Sequence, residues 1–137
     1  MNEVGLLLAS VFSAGTVLAL AGLGLLINEK AGVINLGAEG MMLCAALAGY
    51  AVCVHTGSPW LGFAAGMGAG AVLAGALGVL VIWLNTNQSA TGLALSLLGA
   101  GLSAFVGVPY AQQALTVRSQ FAIPVLSELP LVGKALF

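Results

Sequence analysis

Long apolar runs alternate with short polar interruptions along this chain, and the spacing of the interruptions predicts its elements. Residues 5–27 carry no charged or amide side chain. As a helix this run extends roughly 35 Å, enough to cross a hydrocarbon core of ~30 Å with some tilt. A second run, 60–84, opens after the breaker cluster Gly57-Ser58-Pro59 and closes at Asn85-Thr86-Asn87-Gln88-Ser89, which reads as a polar interhelix loop. Trp60 and Trp83 stand near its ends, where aromatic anchors occupy the two interfaces. A further run, 92–108, ends at Pro109-Tyr110.

The stretch between the first two of these runs is less simple. Its clean apolar part, 41–54, reaches only ~21 Å as a helix, short of the hydrocarbon core. The missing length must come from residues 31–40, which hold three glycines, an amide and a carboxylate. Irregular or polar backbone is tolerated at membrane depth only where protein buries it or it lines a water-filled cavity. Segment 31–54 is therefore expected to be a discontinuous second helix beside a solute pathway, with Asn35, Gly37, Glu39 and Gly40 as candidate pathway residues. Glu39 has two readings: it contacts solute, or it accepts hydrogen bonds from backbone freed at the break. The pattern as a whole predicts an all-α polytopic transmembrane helix bundle of about four crossings. Residues 109–137 follow as an interfacial or extracytoplasmic segment, in which Gln112, Gln113, Arg118, Gln120, Glu128 and Lys134 are scattered among apolar residues.

Composition strengthens this picture. Hydrophobic residues make up 61% of the 137 and charged residues 5%, against about a quarter charged in a soluble domain. From Met41 to Val117 there is no Asp, Glu, Lys or Arg. A net charge of -1 with no basic cluster excludes a nucleic-acid partner. The first run is preceded by Glu3 and is longer than the ~7–15 residues of a signal-peptide core, so it reads as a retained crossing. Asn28-Glu29-Lys30 forms its interfacial end. Cys44 and Cys53 are small core residues, and His55 is a solvated loop residue. No nucleophile is paired with a base, and no metal-ligand spacing occurs. The sequence thus offers no catalytic residues, no metal site and no cofactor site.

The twenty glycines are patterned. Gly62, Gly66, Gly70, Ala74 and Gly78 recur every fourth residue, as do Gly92, Ser96, Ala100 and Ala104, with Gly99, Ser103 and Gly107 on a neighbouring row. In lipid, small residues let helix backbones approach closely, so these rows are expected to be helix-packing faces, within the chain rather than between copies.

The run Asn28-Glu29-Lys30-Ala31-Gly32-Val33-Ile34-Asn35-Leu36-Gly37-Ala38-Glu39-Gly40-Met41-Met42-Leu43 closely resembles the segment after the first helix in permease subunits of the nucleoside and simple-sugar ABC importers, relatives of the branched-chain amino acid and ribose permeases. Asn87-Gln88-Ser89-Ala90-Thr91-Gly92-Leu93-Ala94-Leu95-Ser96 is similar to a polar loop and helix start further along the same family, and the tail Leu129-Pro130-Leu131-Val132-Gly133 extends the likeness. The resemblance implies a pathway subunit in the plasma (inner) membrane of a bacterium. Its implied partners are a second permease, cytoplasmic ATP-binding subunits that use the ATP, and an extracytoplasmic solute-binding protein. It favours an extracytoplasmic N-terminus and nucleosides over sugars. Family members are longer, so it also implies an N-terminal portion of a permease. The rival reading is a small membrane scaffold or assembly subunit whose glycine rows serve helix association alone.

Overall fold

A computed structural model of the chain describes residues 2–113, and from residue 114 the expected interfacial segment lies outside them. The described residues form four helices and no strand. Helix α1 spans Asn2–Lys30, α2 Ala38–Thr56, α3 Pro59–Gly78 and α4 Gln88–Gly107. A π-helical turn, Val79–Trp83, prolongs α3, and a 3-10 turn, Val108–Tyr110, prolongs α4 through Pro109. Each of the four is long and apolar enough to cross a membrane.

The N-terminal part of α1, Met1–Leu26, belongs to one compact unit, and the chain from Ile27 onward to another. The large apolar side chains along α1, including Leu7, Phe12, Leu18 and Leu23, are exposed. Thr16 turns its hydroxyl back onto the Phe12 carbonyl at 2.7 Å, which spares the apolar helix an open donor. The helix ends in a Schellman motif. Val33 N–H donates to the Asn28 carbonyl at 2.9 Å and Gly32 N–H to that of Glu29 at 3.0 Å. Gly32 takes the left-handed φ of +81° that this ending requires.

Within the second unit α2 is central, packed on α3 along one side and on α4 along the other. The α2–α3 turn is tight: Gly57 caps α2 at φ +67°, its N–H on the Cys53 carbonyl, and Pro59 opens α3 at the first position, where no intrahelical donor is needed. The two helices therefore run antiparallel, and the small residues fill the contact. A Cβ on Gly62 would sit 2.7 Å from the Gly49 carbonyl oxygen, and one on Gly66 2.9 Å from that of Ala45, while Gly70 faces the Ala45 Cβ at 3.7 Å. Gly78, on the same row, meets nothing within 4 Å.

Helix α4 lies parallel to α2. A Cβ on Gly40 would come within 2.6 Å of the Leu95 carbonyl oxygen and the Ser96 Cα, and Gly99 lies against the Gly40 backbone. The α4 contact face thus runs through 92, 95, 96 and 99 in steps of three and four, while Ala100 and Ala104 of the expected every-fourth row are exposed. A helix of 3.6 residues per turn makes this the straighter stripe.

Several local expectations are revised. The break is an irregular stretch, 31–37, ahead of α2 rather than inside it. Ala38-Glu39-Gly40 and His55-Thr56 join the helix and bring it to 19 residues, about 28 Å. His55 accordingly stands in the last turn of α2, not in a loop. Gln88 and Ser89 open α4 rather than belonging to the polar loop, because Asn87 caps the helix by accepting the Ala90 N–H at 3.1 Å. The run after Gly78 winds as a π turn, with Leu84 N–H on the Val79 carbonyl. The Leu80 carbonyl takes the Thr86 N–H at 3.2 Å and the Thr86 hydroxyl at 2.8 Å.

Gly40 meets backbone atoms that cannot rotate away, so Gly40→Val should cost about 1–3 kcal/mol or more of overpacking. Gly78→Ala should stay within about 0.5 kcal/mol. Unfolding midpoints of the purified chain in mixed micelles titrated with SDS would separate the two, and equal midpoints would sink the packing account.

Candidate functional site

The 31–37 segment sits level with the ends of its neighbours. At the far end of the bundle the helices are matched. The Gly57-Ser58 turn joins α2 to α3, and His55 Nε2 lies 3.0 Å from the Tyr110 hydroxyl, the two rings edge to face at 5.7 Å. Spans α3 with its π turn and α4 with its 3-10 turn have 25 and 23 residues, against 19 for α2. Their surplus of four to six residues, about 6–9 Å, falls at the opposite end, alongside residues 31–37. Val33 accordingly packs on the small buried cluster of Met41, Leu77 and Val81.

Coil at this level needs partners for its backbone, and side chains from two directions supply them. Gln88 Oε1 accepts the Ile34 N–H at 2.8 Å, and its Nε2 donates to the Gly32 carbonyl at 3.4 Å. Asn35 Oδ1 accepts the Gly37 N–H at 3.0 Å, forming an Asx turn into α2. The Ser96 hydroxyl donates to the Leu36 carbonyl at 2.7 Å. Between them Gly37 and Gly92 meet almost backbone to backbone: a Cβ on Gly92 would lie 3.0 Å from the Leu36 nitrogen and 3.1 Å from that of Gly37.

The candidate pathway residues divide accordingly. Asn35 is half-buried, its carbonyl oxygen engaged in the Asx turn and its Nδ2 3.8 Å from the Met41 sulfur. Gly37 and Gly40 are buried against α4. Glu39 differs. It is exposed in the first turn of α2 and has no hydrogen-bond or ion-pair partner among the described residues. The first turn of a helix presents free N–H groups and the positive end of the dipole, which favours a carboxylate there. What such a group can do is accept hydrogen bonds from hydroxyl or amino groups.

Two cavities open elsewhere on the bundle, and the four pathway candidates line neither. One, of about 670 Å³, is an apolar groove between α2 and α3 floored by Gly49, Gly62, Gly66 and Gly70. The other, of about 400 Å³, lies between α2 and α4, with Tyr50, Ser103 and Tyr110 on its walls. The Tyr50 hydroxyl donates to the Gln113 carbonyl. Among the residues at the break, Gln88 and the hydrogen-bonding side of Ser96 escaped the sequence reading, which took Gln88 for loop and Ser96 for packing. The signal was present in part, since both fall inside the second segment of family resemblance. The structure brings that segment onto the first.

Residues 7–136 match the family described as branched-chain amino acid transport system / permease component. The chain is 50% identical, over 97% of its length, to a protein of Haloferax volcanii provisionally named glucose ABC transporter permease protein, of which it covers 41%. It is 26% identical over its whole length to the nucleoside ABC transporter permease protein of Lactococcus lactis subsp. cremoris, covering 46% of it. Over 88% of the chain it is 29% identical to the guanosine ABC transporter permease protein of Bacillus subtilis, covering 41% of it. The chain thus spans less than half the length of these curated relatives. No solved structure matches it significantly. With a family match that takes in all four apolar helices, the chain belongs to the branched-chain amino acid transport system permease components and is a multi-pass membrane protein.

Proposed function

We propose that the chain forms part of the solute pathway in a permease subunit of an ATP-driven importer of nucleosides or simple sugars. The family match over residues 7–136 carries this reading, and relatives named for glucose, nucleosides and guanosine support the solute class. The initial leaning to nucleosides widens here, because the relative at 50% identity is named for glucose. Both classes present several hydroxyl groups, which suit an exposed carboxylate acceptor such as Glu39.

In this reading the chain works in the plasma membrane with a second permease subunit, cytoplasmic ATP-binding subunits and an extracytoplasmic solute-binding protein. It holds no cofactor and carries out no covalent chemistry, and ATP is used by its partners. An extracytoplasmic N-terminus places Lys30 and the 31–37 break toward the cytoplasm and the His55–Tyr110 end toward the binding protein.

Cells expressing the chain with its neighbouring transporter genes should take up radiolabelled guanosine or glucose, and should lose uptake when the ATP-binding subunit is deleted. Glu39→Gln should lower uptake per folded molecule by about tenfold, the equivalent of 1.4 kcal/mol, while leaving the amount of chain unchanged. Asn35→Ala, which removes the Asx turn into α2, should instead cost roughly 1 kcal/mol of stability, read as a lower SDS midpoint. Unchanged per-molecule uptake in Glu39→Gln would remove Glu39 from the pathway.

A further inference from the structure

We infer that Gln88 is a positioning residue, an amide clip that holds the 31–37 segment against α4 and thereby sets where Glu39 stands. This rests on the reading of Glu39 as a pathway residue.

The need for a clip comes from the backbone. Gly32 and Ile34 offer a carbonyl and an N–H within three residues of coil, level with the last turns of two crossing helices, where water is scarce. One side chain that both accepts and donates can serve the pair. A carboxylate at neutral pH only accepts and an ammonium only donates, whereas a primary amide carries both on one plane. Gln88 is placed for this: Oε1 meets the donor at 2.8 Å and Nε2 the acceptor at 3.4 Å. The two partners also fix which way round the amide lies.

The clip is mounted on a rigid element. Asn87 caps the turn that carries Gln88, and Thr91 of the same turn lies 2.9 Å, hydroxyl to hydroxyl, from Thr86, which braces the Leu80 carbonyl. Gln88, Gly92 and Ser96 form one row of α4 at four-residue steps, and the row meets the segment in order. Gln88 takes Gly32 and Ile34, Gly92 abuts Leu36 and Gly37, and the Ser96 hydroxyl holds the Leu36 carbonyl. The segment ends in the Asx turn that starts α2, with Glu39 two residues beyond Gly37. A shift of the α3–α4 connector is thus passed through Gln88 to the first turn of α2.

The test uses the chain in membranes with its transporter partners. Amide hydrogen exchange at Ile34 is read by fragmentation mass spectrometry, and KM and Vmax are measured for guanosine and glucose. Gln88→Ala should speed exchange at Ile34 by about tenfold and raise KM by about threefold with Vmax nearly kept. Gln88→Glu keeps the acceptor, so Ile34 should stay protected and most of the affinity should return. If Gln88→Ala does not accumulate, Gln88→Met, of similar volume and without the amide, takes its place. Unchanged exchange in the amide-free variant overturns the clip whatever transport does. Faster exchange with unaltered KM overturns the positioning role, provided Glu39→Gln impairs uptake. If Glu39→Gln is silent as well, the pathway reading is what fails.

Discussion

In lipid every backbone N–H and C=O must find its partner inside the protein, and the shape of this bundle follows from how that demand is met. Helices meet it internally, so three of the connections can be short. The fourth, 31–37, is coil at the level of its neighbours' end turns, and it survives because its polar groups are taken up by Asn28, Glu29, Asn35, Gln88 and Ser96. The same logic applies to the π turn: winding Val79–Trp83 wide frees the Leu80 carbonyl, and Thr86 closes it with both its N–H and its hydroxyl. Among the described residues, no buried side-chain nitrogen or oxygen is left without a hydrogen bond.

The second constraint is distance. Side chains from α4 can reach the segment because the helices approach until backbone meets backbone, at Gly40 with Leu95 and Ser96 and at Gly37 with Gly92. A methyl group at either place would push α4 outward and carry Gln88 and Ser96 away from their partners. Glycine packing and backbone satisfaction are therefore one arrangement, and the exposed Glu39 is presented at its edge. The α2–α3 side uses small residues too, but its contacts at Gly49, Gly62 and Gly66 are steric, without a printed counterpart to the hydrogen bonds that tie α2 to α4.

The crossings were legible because an uncharged run from Met41 to Val117 leaves few alternatives, and the runs at 5–27, 60–84 and 92–108 all fall within helices or their terminal turns. The existence of a break at 31–40 was legible from length alone. Its boundary was not, since Ala38, Glu39 and Gly40 are compatible with either coil or helix, and a favourable Asx turn from Asn35 starts the helix early. Gln88 was read as loop for a similar reason. Whether a polar residue after Asn87 is helical depends on whether Asn87 caps, and that in turn depends on where α4 meets α2. The glycine rows announced contact faces, yet spacing by four cannot tell Gly62, which is buried, from Gly78, which meets nothing.

Among the described residues, the buried apolar side chains are Met41, Leu77 and Val81, while Trp83 and Phe105 are each 82% exposed and Leu97 is 75%. The interior is otherwise lined by glycines 37, 40, 62, 92 and 99. Volume, not polarity, sorts this chain into inside and outside. The bulky side chains serve as solvent-facing groups toward hydrocarbon, and one can be exchanged for another with little loss. The inner positions have no such latitude, because an atom can be neither removed from a glycine nor added without parting two helices. Accessible variation in this bundle is thereby confined to its rim, and the helix spacing behaves as a fixed dimension of the fold.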